Sequence, residues 1–203
     1  MEKVPLTEEL LKTGKIVLNV ESVGLSPEQF FRLCSDNPEL RLEMTAQNEV
    51  IVMPPTNSET GMFCSEINYQ LAAWAKRDGR GVTFGSSTGF LLPNGAQRSP
   101  DASWILRKRW DALKPEEKQV FAPICPDFVI ELWSPSDTLK ELQFKLGEYI
   151  ANGAKLGFLI YRRKRQVFVY RLDEPVVRLD NPASVSGDPE LPGFTLDVTE
   201  VWQ

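Results

Sequence analysis

Hydrophobic and polar positions alternate along several short stretches of the chain, which predicts strands, and recur at helical spacing along two longer ones. Apolar residues share one helical face between residues 58 and 76, and again between residues 138 and 152. The predicted strands are residues 15–20, 40–44, 49–53, 82–84, 89–92, 102–106, 128–133, 156–161 and 166–171. The pattern therefore predicts a mixed α/β chain, α+β in character, with more strands than helices.

The order of these elements indicates how some of them pair. A strand, a helix and a second strand follow one another between residues 128 and 161, which favours a parallel pair with a helical crossover. Ser26 and Pro27 are typical of a helix start, and the charged segment 107–119 is expected to be helical in part. We expect one domain over residues 1–203, with a core at about 25–172 and with the N-terminal strand and a partly ordered C-terminal tail as appendages.

The amino-acid composition limits which catalytic groups and metal ligands the protein can use. The chain contains no histidine, which excludes a Ser-His-Asp or Cys-His site, a histidine base and the common zinc sites. A metal would have to be held by carboxylates and carbonyls, which favours Mg²⁺ or Mn²⁺. The formal net charge of −5 argues weakly against nucleic acid as a partner, although the local distribution of charge matters more than the total.

The sequence pattern shows neither a signal peptide nor a membrane-spanning segment. The first fourteen residues are charged and lack the apolar stretch of a signal peptide. No apolar run approaches the ~20 residues that span a bilayer, so no membrane partner is expected. The three cysteines are scattered and odd in number, which favours reduced thiols and a cytoplasmic protein.

Glu131 stands out because it lies inside an apolar strand, between Phe128 and Trp133. A buried charge is costly unless something compensates it. One interpretation is structural: the glutamate lies at the strand end or pairs with a core arginine. The other is functional: the carboxylate binds a metal ion or acts as a general acid or base.

The dipeptide Pro-Asp occurs twice, at Pro100-Asp101 and at Pro126-Asp127, so either aspartate could work with Glu131. Asp127 is four residues from Glu131 on one strand, a separation of about 13 Å at ~3.3 Å per residue. Two ligands of one Mg²⁺ must bring their oxygens within about 3–4 Å of each other. Asp101 lies on another predicted strand, which as a neighbour would be ~4.8 Å away. We therefore expect Asp101 to pair with Glu131, and Asp127 to mark the start of the strand.

These residues resemble a known signature. Pro100-Asp101 followed by Glu131-Leu132-Trp133 is similar to the motif of the PD-(D/E)xK nuclease superfamily, and the chain more closely resembles the Uma2 family within it. The resemblance covers roughly residues 25–200 and rests on the stretches Arg41–Met44, Asn48–Val50, Val52–Pro55, Ser99–Asp101 and Pro126–Asp137, and on Lys145, Tyr149 and Gly153.

The resemblance implies a restriction-endonuclease-like core, a central mixed β-sheet flanked by helices. It also implies a Mg²⁺- or Mn²⁺-dependent nuclease that acts on nucleic acid, DNA in the first place, with Asp101 and Glu131 as metal ligands. A homodimer is common among proteins of this fold.

Trp133 departs from the superfamily pattern, because it stands two residues after the glutamate, where the catalytic lysine is expected. Lys145 on the following helix is the candidate substitute, since it flanks the buried face and its long stem can return the charge to the sheet. The alternative is a solvated residue. Glu43 is a candidate third acid that binds a second ion or orients Lys145, and the alternative is again a surface residue.

Two other functions remain open from sequence. One is a catalytically inactive nuclease-fold protein that binds nucleic acid or a protein partner. The other is a two-carboxylate glycosidase using Asp101 and Glu131, with Trp104 and Trp133 stacking on sugar. A basic rim for phosphate could come from Arg98, Arg107–Arg109 and Arg162–Arg165, although the last run is also typical of a solvated hairpin tip.

Overall fold

The structure is a computed structural model that describes residues 13–202. The N-terminal segment that shows no signal-peptide pattern lies mostly outside the described residues. The strands are β1 (Ile16–Asn19), β2 (Arg41–Met44), β3 (Glu49–Met53), β4 (Gly81–Gly85), β5 (Phe90–Leu91), β6 (Gln97–Arg98), β7 (Ala102–Leu106), β8 (Phe128–Leu132), β9 (Leu156–Tyr161), β10 (Gln166–Arg171), β11 (Val177–Asp180), β12 (Ser184–Ser186) and β13 (Thr195–Asp197). The helices are α1 (Pro27–Asp36), α2 (Ser58–Asp78), α3 (Arg107–Asp111) and α4 (Leu139–Ala151), with 3-10 turns at Arg162–Lys164 and Thr199–Trp202.

Helix boundaries follow from local chemistry. Ser26 caps α1 in a capping box, as its position before Pro27 predicts. Thr138 caps α4 in the same way, its hydroxyl accepting from the Glu141 N–H. Residues 134–137 directly precede this cap and do not cap α4 themselves. Asp137 instead closes the turn after β8, where its carboxylate accepts from the Ser134 N–H at 3.0 Å.

Two larger sheets build the molecule. The central sheet has the strand order β11-β10-β9-β8-β7-β4, and the lateral sheet has the order β1-β3-β2-β6-β5. The parallel pair β8–β9, joined through α4, is confirmed, while the other neighbours in both sheets are antiparallel. The predicted central mixed sheet with flanking helices is therefore confirmed. Within residues 13–202, no helix combines the length and apolar character that a membrane crossing requires.

Both faces of β8 are buried, and its alternating side chains enter two different cores. Phe128, Ile130 and Leu132 join the core on the α2 side. Val129 joins the core that contains α4, through Leu142, Leu146 and Tyr149. Side chains alternate along a strand, so Glu131 points to the same side as Val129, toward α4.

The C-terminal tail differs from the expectation of a partly ordered edge. β12 and β13 form a small hairpin-like pair, and apolar side chains of this region enter the α2-side core. The buried tail residues are Val185, Leu191, Phe194, Leu196, Val198 and Val201. Sequence patterns give little signal here, because β12 and β13 are only three residues long and each buries a single side chain. In the structure the tail completes the core.

We expect Phe194→Ala to destabilise the protein by about 3–5 kcal/mol, the usual cost of removing a buried aromatic ring. The Phe194 ring lies 5.3 Å from that of Trp74 and 5.7 Å from that of Phe128, between centroids. Urea unfolding followed by tryptophan fluorescence measures the loss. Leu172→Ala, at a side chain that is 51% exposed, is the control and should change stability by less than about 0.5 kcal/mol. Equal stability of the two variants would contradict the role of the tail in the core.

Candidate active site

The register of β7 and β8 places Asp101 opposite Glu131. Ser103 pairs with Val129 and Ala102 with Ile130, so the next step of the antiparallel register brings residues 101 and 131 together. Side chains directly opposite on an antiparallel pair lie on one face of the sheet, with Cβ atoms about 4.5–5.5 Å apart. Asp101 Oδ2 also accepts a hydrogen bond from the Leu132 N–H at 2.8 Å. The two strands are thus neighbours, as the distance argument requires.

Asp127 lies at the other end of β8 and serves the fold. Its Oδ2 accepts from the Leu106 N–H at 2.9 Å and lies 2.9 Å from Arg109 Nη1. Lys155 Nζ is 3.7 Å from the second oxygen. Asp127 therefore joins the start of β8 to the end of β7, away from the Asp101–Glu131 pair.

Lys145 reaches the same place from α4. Its ammonium nitrogen lies 2.9 Å from Glu131 Oε1 and 2.8 Å from Glu43 Oε1. It also donates to the Ser99 carbonyl at 3.3 Å. The Lys145 side chain is only 13% exposed, so the alternative of a solvated flank residue is wrong.

Trp133 does not enter the site with its indole group. Its ring makes an edge contact with Tyr161, with centroids 5.5 Å apart, and its Nε1 donates to the Asp137 carbonyl at 3.0 Å. The side chain thus packs against the end of β9 and the turn before α4. The ammonium next to Glu131 comes from the helix and not from the strand.

Glu43 is buried, at 3% exposure, so the alternative of a surface glutamate is wrong. Its Oε2 lies 3.2 Å from Arg98 Nη1, and its Oε1 accepts from the Ser99 N–H at 2.9 Å. Arg98 Nε in turn lies 2.6 Å from Glu148 Oε2. A continuous row of buried charges therefore runs from Glu148 through Arg98, Glu43 and Lys145 to Glu131.

Arg98 and Glu148 were not identified as members of the site from sequence. A signal existed for Glu148, because it follows Lys145 by three residues and so shares its helical face. No local pattern predicts that Arg98 is buried, since its two carboxylate partners are 55 and 50 residues away. The name buried charge cluster is used below for six residues: Glu148, Arg98, Glu43, Lys145, Glu131 and Asp101.

The pKa values of Glu131 and Glu43 shift in opposite directions. Burial raises the pKa of Glu131 to about 8; Lys145 opposes this rise, while Asp101 and Glu43 reinforce it. Burial also acts to raise the pKa of Glu43, but Lys145 and Arg98 together outweigh it and hold the pKa at about 2. Burial raises the pKa of Asp101 despite the Leu132 N–H. Lys145 keeps a raised pKa, because Glu131 and Glu43 more than offset its burial.

Asp101, Glu131, Lys145 and Glu43 line a cleft of about 700 Å³. The cleft lies between one face of the lateral sheet, the N-terminal half of α4 and the turn after β8. Trp104 and Trp133, the predicted sugar-stacking residues, are not among the described residues that line it. Trp104 is instead buried, at 4% exposure, with its ring centroid 5.8 Å from that of Trp74. Neither tryptophan is therefore placed to stack on a sugar in the cleft, as the glycosidase interpretation requires.

Three arginines of the predicted basic rim are engaged in contacts within the fold. Arg98 is buried within the charge cluster, and Arg109 pairs with Asp127 at the opposite end of β8. Arg162 lies over the Phe63 ring at 3.7 Å from its centroid and pairs with Glu59 at 3.3 Å. These contacts hold the arginines to the fold.

A hard divalent cation requires several oxygen ligands around one point. Over residues 13–202, no group of three or more His, Cys, Asp or Glu side chains is placed to hold one ion. The acids that face each other are Asp101 and Glu131, and the Oε1 atom of Glu131 is buried with the Lys145 ammonium 2.9 Å away. Two facing carboxylates fit a Mg²⁺-type ion that takes further ligands from carbonyl groups and water.

Comparison with known proteins bears on the fold. A crystal structure of a protein described as a putative nuclease belonging to DUF820, from Anabaena variabilis ATCC 29413, superposes with a TM-score of 0.72 at 20% sequence identity. The alignment covers 88% of this chain and 97% of that one, so the two share their fold. No curated protein matches the sequence.

The family comparison covers most of the sequence. The sequence model of the Uma2 family, described as "Putative restriction endonuclease", matches residues 27–199. This range includes all the residues of the buried charge cluster, and it confirms the resemblance noted from the motifs. The chain therefore belongs to the Uma2 family.

Proposed function

We propose that this chain is a Mg²⁺- or Mn²⁺-dependent phosphodiesterase that cleaves DNA. The observation that carries the proposal is the meeting of Asp101 and Glu131 on adjacent strands, with the Lys145 ammonium 2.9 Å from Glu131. Two acids and a lysine in a cleft are the groups that phosphodiester hydrolysis needs. Membership of the Uma2 family supports this reading.

Asp101 and Glu131 would hold the ion, together with the main-chain carbonyl of Leu132, a residue that also lines the cleft. When bound, the ion would polarise the scissile phosphate and lower the pKa of an attacking water. Asp101 is already oriented for this role by its hydrogen bond from the Leu132 N–H. Burial keeps bulk water from competing for the two carboxylates, which strengthens their attraction for a cation.

Lys145 takes the role of the motif lysine that Trp133 replaces. Glu43 holds the Lys145 ammonium from the lateral sheet at 2.8 Å, so the charge stays beside Glu131. There it orients the attacking water or neutralises the charge that develops on the phosphate. Glu43 acts as a positioning residue in this scheme, because its low pKa keeps it ionised at neutral pH.

A second candidate is a nuclease-fold protein that binds its partner without cleaving it. Two observations favour it. An indole stands at the motif-lysine position, and among residues 13–202 no three His, Cys, Asp or Glu side chains are placed to hold one ion. Calorimetric titration with Mn²⁺ separates the two candidates. DNA binding with no Mn²⁺ binding at millimolar concentration would favour the non-catalytic protein.

Asp101→Asn and Glu131→Gln are each expected to lower Mg²⁺-dependent DNA cleavage by about a hundredfold or more, because each removes a ligand of an ion that provides several kcal/mol of charge stabilisation. Cleavage of labelled DNA per folded molecule is the measurement. Asp127→Asn is the matched control, since it alters the other Pro-Asp sequence at a buried carboxylate. Its activity should remain at the wild-type level, and equal activity in all variants would overturn the proposal.

Lys145→Met should lower cleavage by about 10²–10³-fold, the usual cost of losing one preorganised charge or donor at a reacting group. Mn²⁺ affinity should not fall in parallel, since both proposed ligands remain. Lys76→Met, which changes an exposed lysine outside the cleft, is the control and should leave cleavage unchanged. Full activity of the Lys145 variant would exclude this residue from the reaction.

Stability in EDTA is expected to fall as pH rises from about 5 to about 8. Glu131 has an ordinary pKa of 4.5 and a folded-state pKa of about 8, so within this range only the folded chain keeps the proton. The unfolded chain then binds fewer protons, and the free energy of unfolding decreases with pH by up to about 1.4 kcal/mol per unit. The raised pKa of Asp101 acts in the same direction.

Urea unfolding of Glu131→Gln tests the pH dependence. The glutamine does not titrate, so the slope of stability against pH should be shallower than in the wild type. Glu39→Gln, at an exposed position, is the control and should retain the wild-type slope. Identical slopes for the wild type and Glu131→Gln would show that Glu131 is ionised throughout this range.

A further inference from the structure

One face of the lateral sheet forms a wall of the cleft, and its polarity changes across the strands. Val17 on β1 pairs with Ile51 on β3, and Ile51 pairs with Glu43 on β2. All three line the cleft, so the wall passes from the exposed Val17 through the half-buried Ile51 to the buried acid. A metal site alone does not require this apolar stretch.

Phe144 lies on the facing wall, on α4, one residue before Lys145. Its side chain lines the cleft and is 62% exposed. A phenylalanine buries 150 Å² or more when packed, so its exposure to water is unfavourable unless a ligand covers the ring. Tyr69 is similarly exposed, at 67%, but does not line the cleft, which makes it a natural comparison.

Arg41 adds a positive charge at the cleft. Its guanidinium donates to Thr56 Oγ1, and among residues 13–202 no carboxylate lies within ion-pairing distance of it. It is close enough to Asp101 to act against the rise in the pKa of that carboxyl. By contrast, Lys15 and Lys145 in the same cleft are already paired with carboxylates.

These features disfavour duplex DNA as the ligand of the cleft. A protein that binds a duplex by its backbone commonly uses 6–10 contacts between phosphates and free Lys or Arg side chains, as an order of magnitude. Most cations of this cleft are committed to carboxylates, and its volume of about 700 Å³ is on the scale of a small-ligand pocket. Affinity must therefore come largely from contacts to exposed bases.

We propose that the cleft binds an unpaired DNA strand, with Phe144 stacking on a base next to the scissile phosphate and Arg41 binding a neighbouring phosphate. The inference rests on the proposed phosphodiesterase function and assigns its substrate class. An unpaired base offers a free π-face to Phe144, whereas the bases of a duplex stack on each other. The apolar side chains of Val17 and Ile51 form the opposite wall of the cleft.

The test uses the full chain and a fluorescein-labelled strand of about 12 thymidines, a length within the usual site size for single strands. Fluorescence anisotropy in Ca²⁺ measures the affinity. The wild type should bind this strand more tightly than a duplex of equal length. Phe144→Ala should weaken binding about tenfold, Phe144→Trp should retain it, and Tyr69→Ala should leave it unchanged.

A strand with abasic sites separates stacking from damage to the fold. The abasic strand should bind more weakly to the wild type, and Phe144→Ala should cause no further loss. Arg41→Ala should weaken binding of both strands and reduce the slope of log affinity against log salt concentration by about one.

Several results would overturn the assignment. These are tighter binding of the duplex, equal affinity of Phe144→Ala and wild type for the thymidine strand, or an equal loss with the abasic strand. A changed sedimentation coefficient of Phe144→Ala would assign the residue to a contact between copies of the chain. Faster Mg²⁺-dependent cleavage of duplex than of single strands would overturn the substrate class alone, whereas cleavage of neither would overturn the proposed function.

Discussion

The ammonium group of Lys145 stands between Glu43 of the lateral sheet and Glu131 of the central sheet, and it connects the main layers of the molecule through one buried point. The cluster contains four acids, Asp101, Glu148, Glu43 and Glu131, but only two cations, Lys145 and Arg98. Burial raises the pKa of Glu131, and Asp101 and Glu43 add to this rise, whereas Lys145 and Arg98 together lower the pKa of Glu43. Removing one partner of such a pair leaves a buried charge without compensation, which is more costly than the pair itself is stabilising.

The excess of acids bears on the proposed metal site. A carboxylate that is buried, close to a second acid and only partly neutralised by a lysine gains more from a divalent ion than an exposed pair does. Arg98 is committed to Glu43 and Glu148, so Lys145 is the cation of the cluster that pairs with Glu131. The net charge of −5 does not conflict with a DNA substrate if base stacking contributes most of the affinity.

Much of this arrangement could be predicted from local sequence. The alternation of hydrophobic and polar residues predicted β7 and β8. The distances along and between strands were enough to select Asp101, and not Asp127, as the residue opposite Glu131. Lys145 could be proposed because helical spacing places it beside the buried face of α4. Trp133 marked where the motif departs, and the structure shows how its indole packs away from the acids.

The features that escaped prediction depend on contacts between distant segments. Arg98 looked like a surface cation because neither of its carboxylate partners is near it in sequence. The tail looked like an edge because the three residues of β12 expose two side chains and bury only Val185. Both are decided by tertiary packing, which a single-sequence pattern does not record.

The crossover between β8 and β9 has a consequence for the newly made protein. Lys145 and Glu148 are carried by α4, so neither reaches its partners until the helix has packed across the parallel pair. A chain still folding holds Asp101 and Glu131 without the ammonium that acts beside them. The complete buried charge cluster, and with it the proposed site of hydrolysis, therefore exists only in a chain whose crossover has formed.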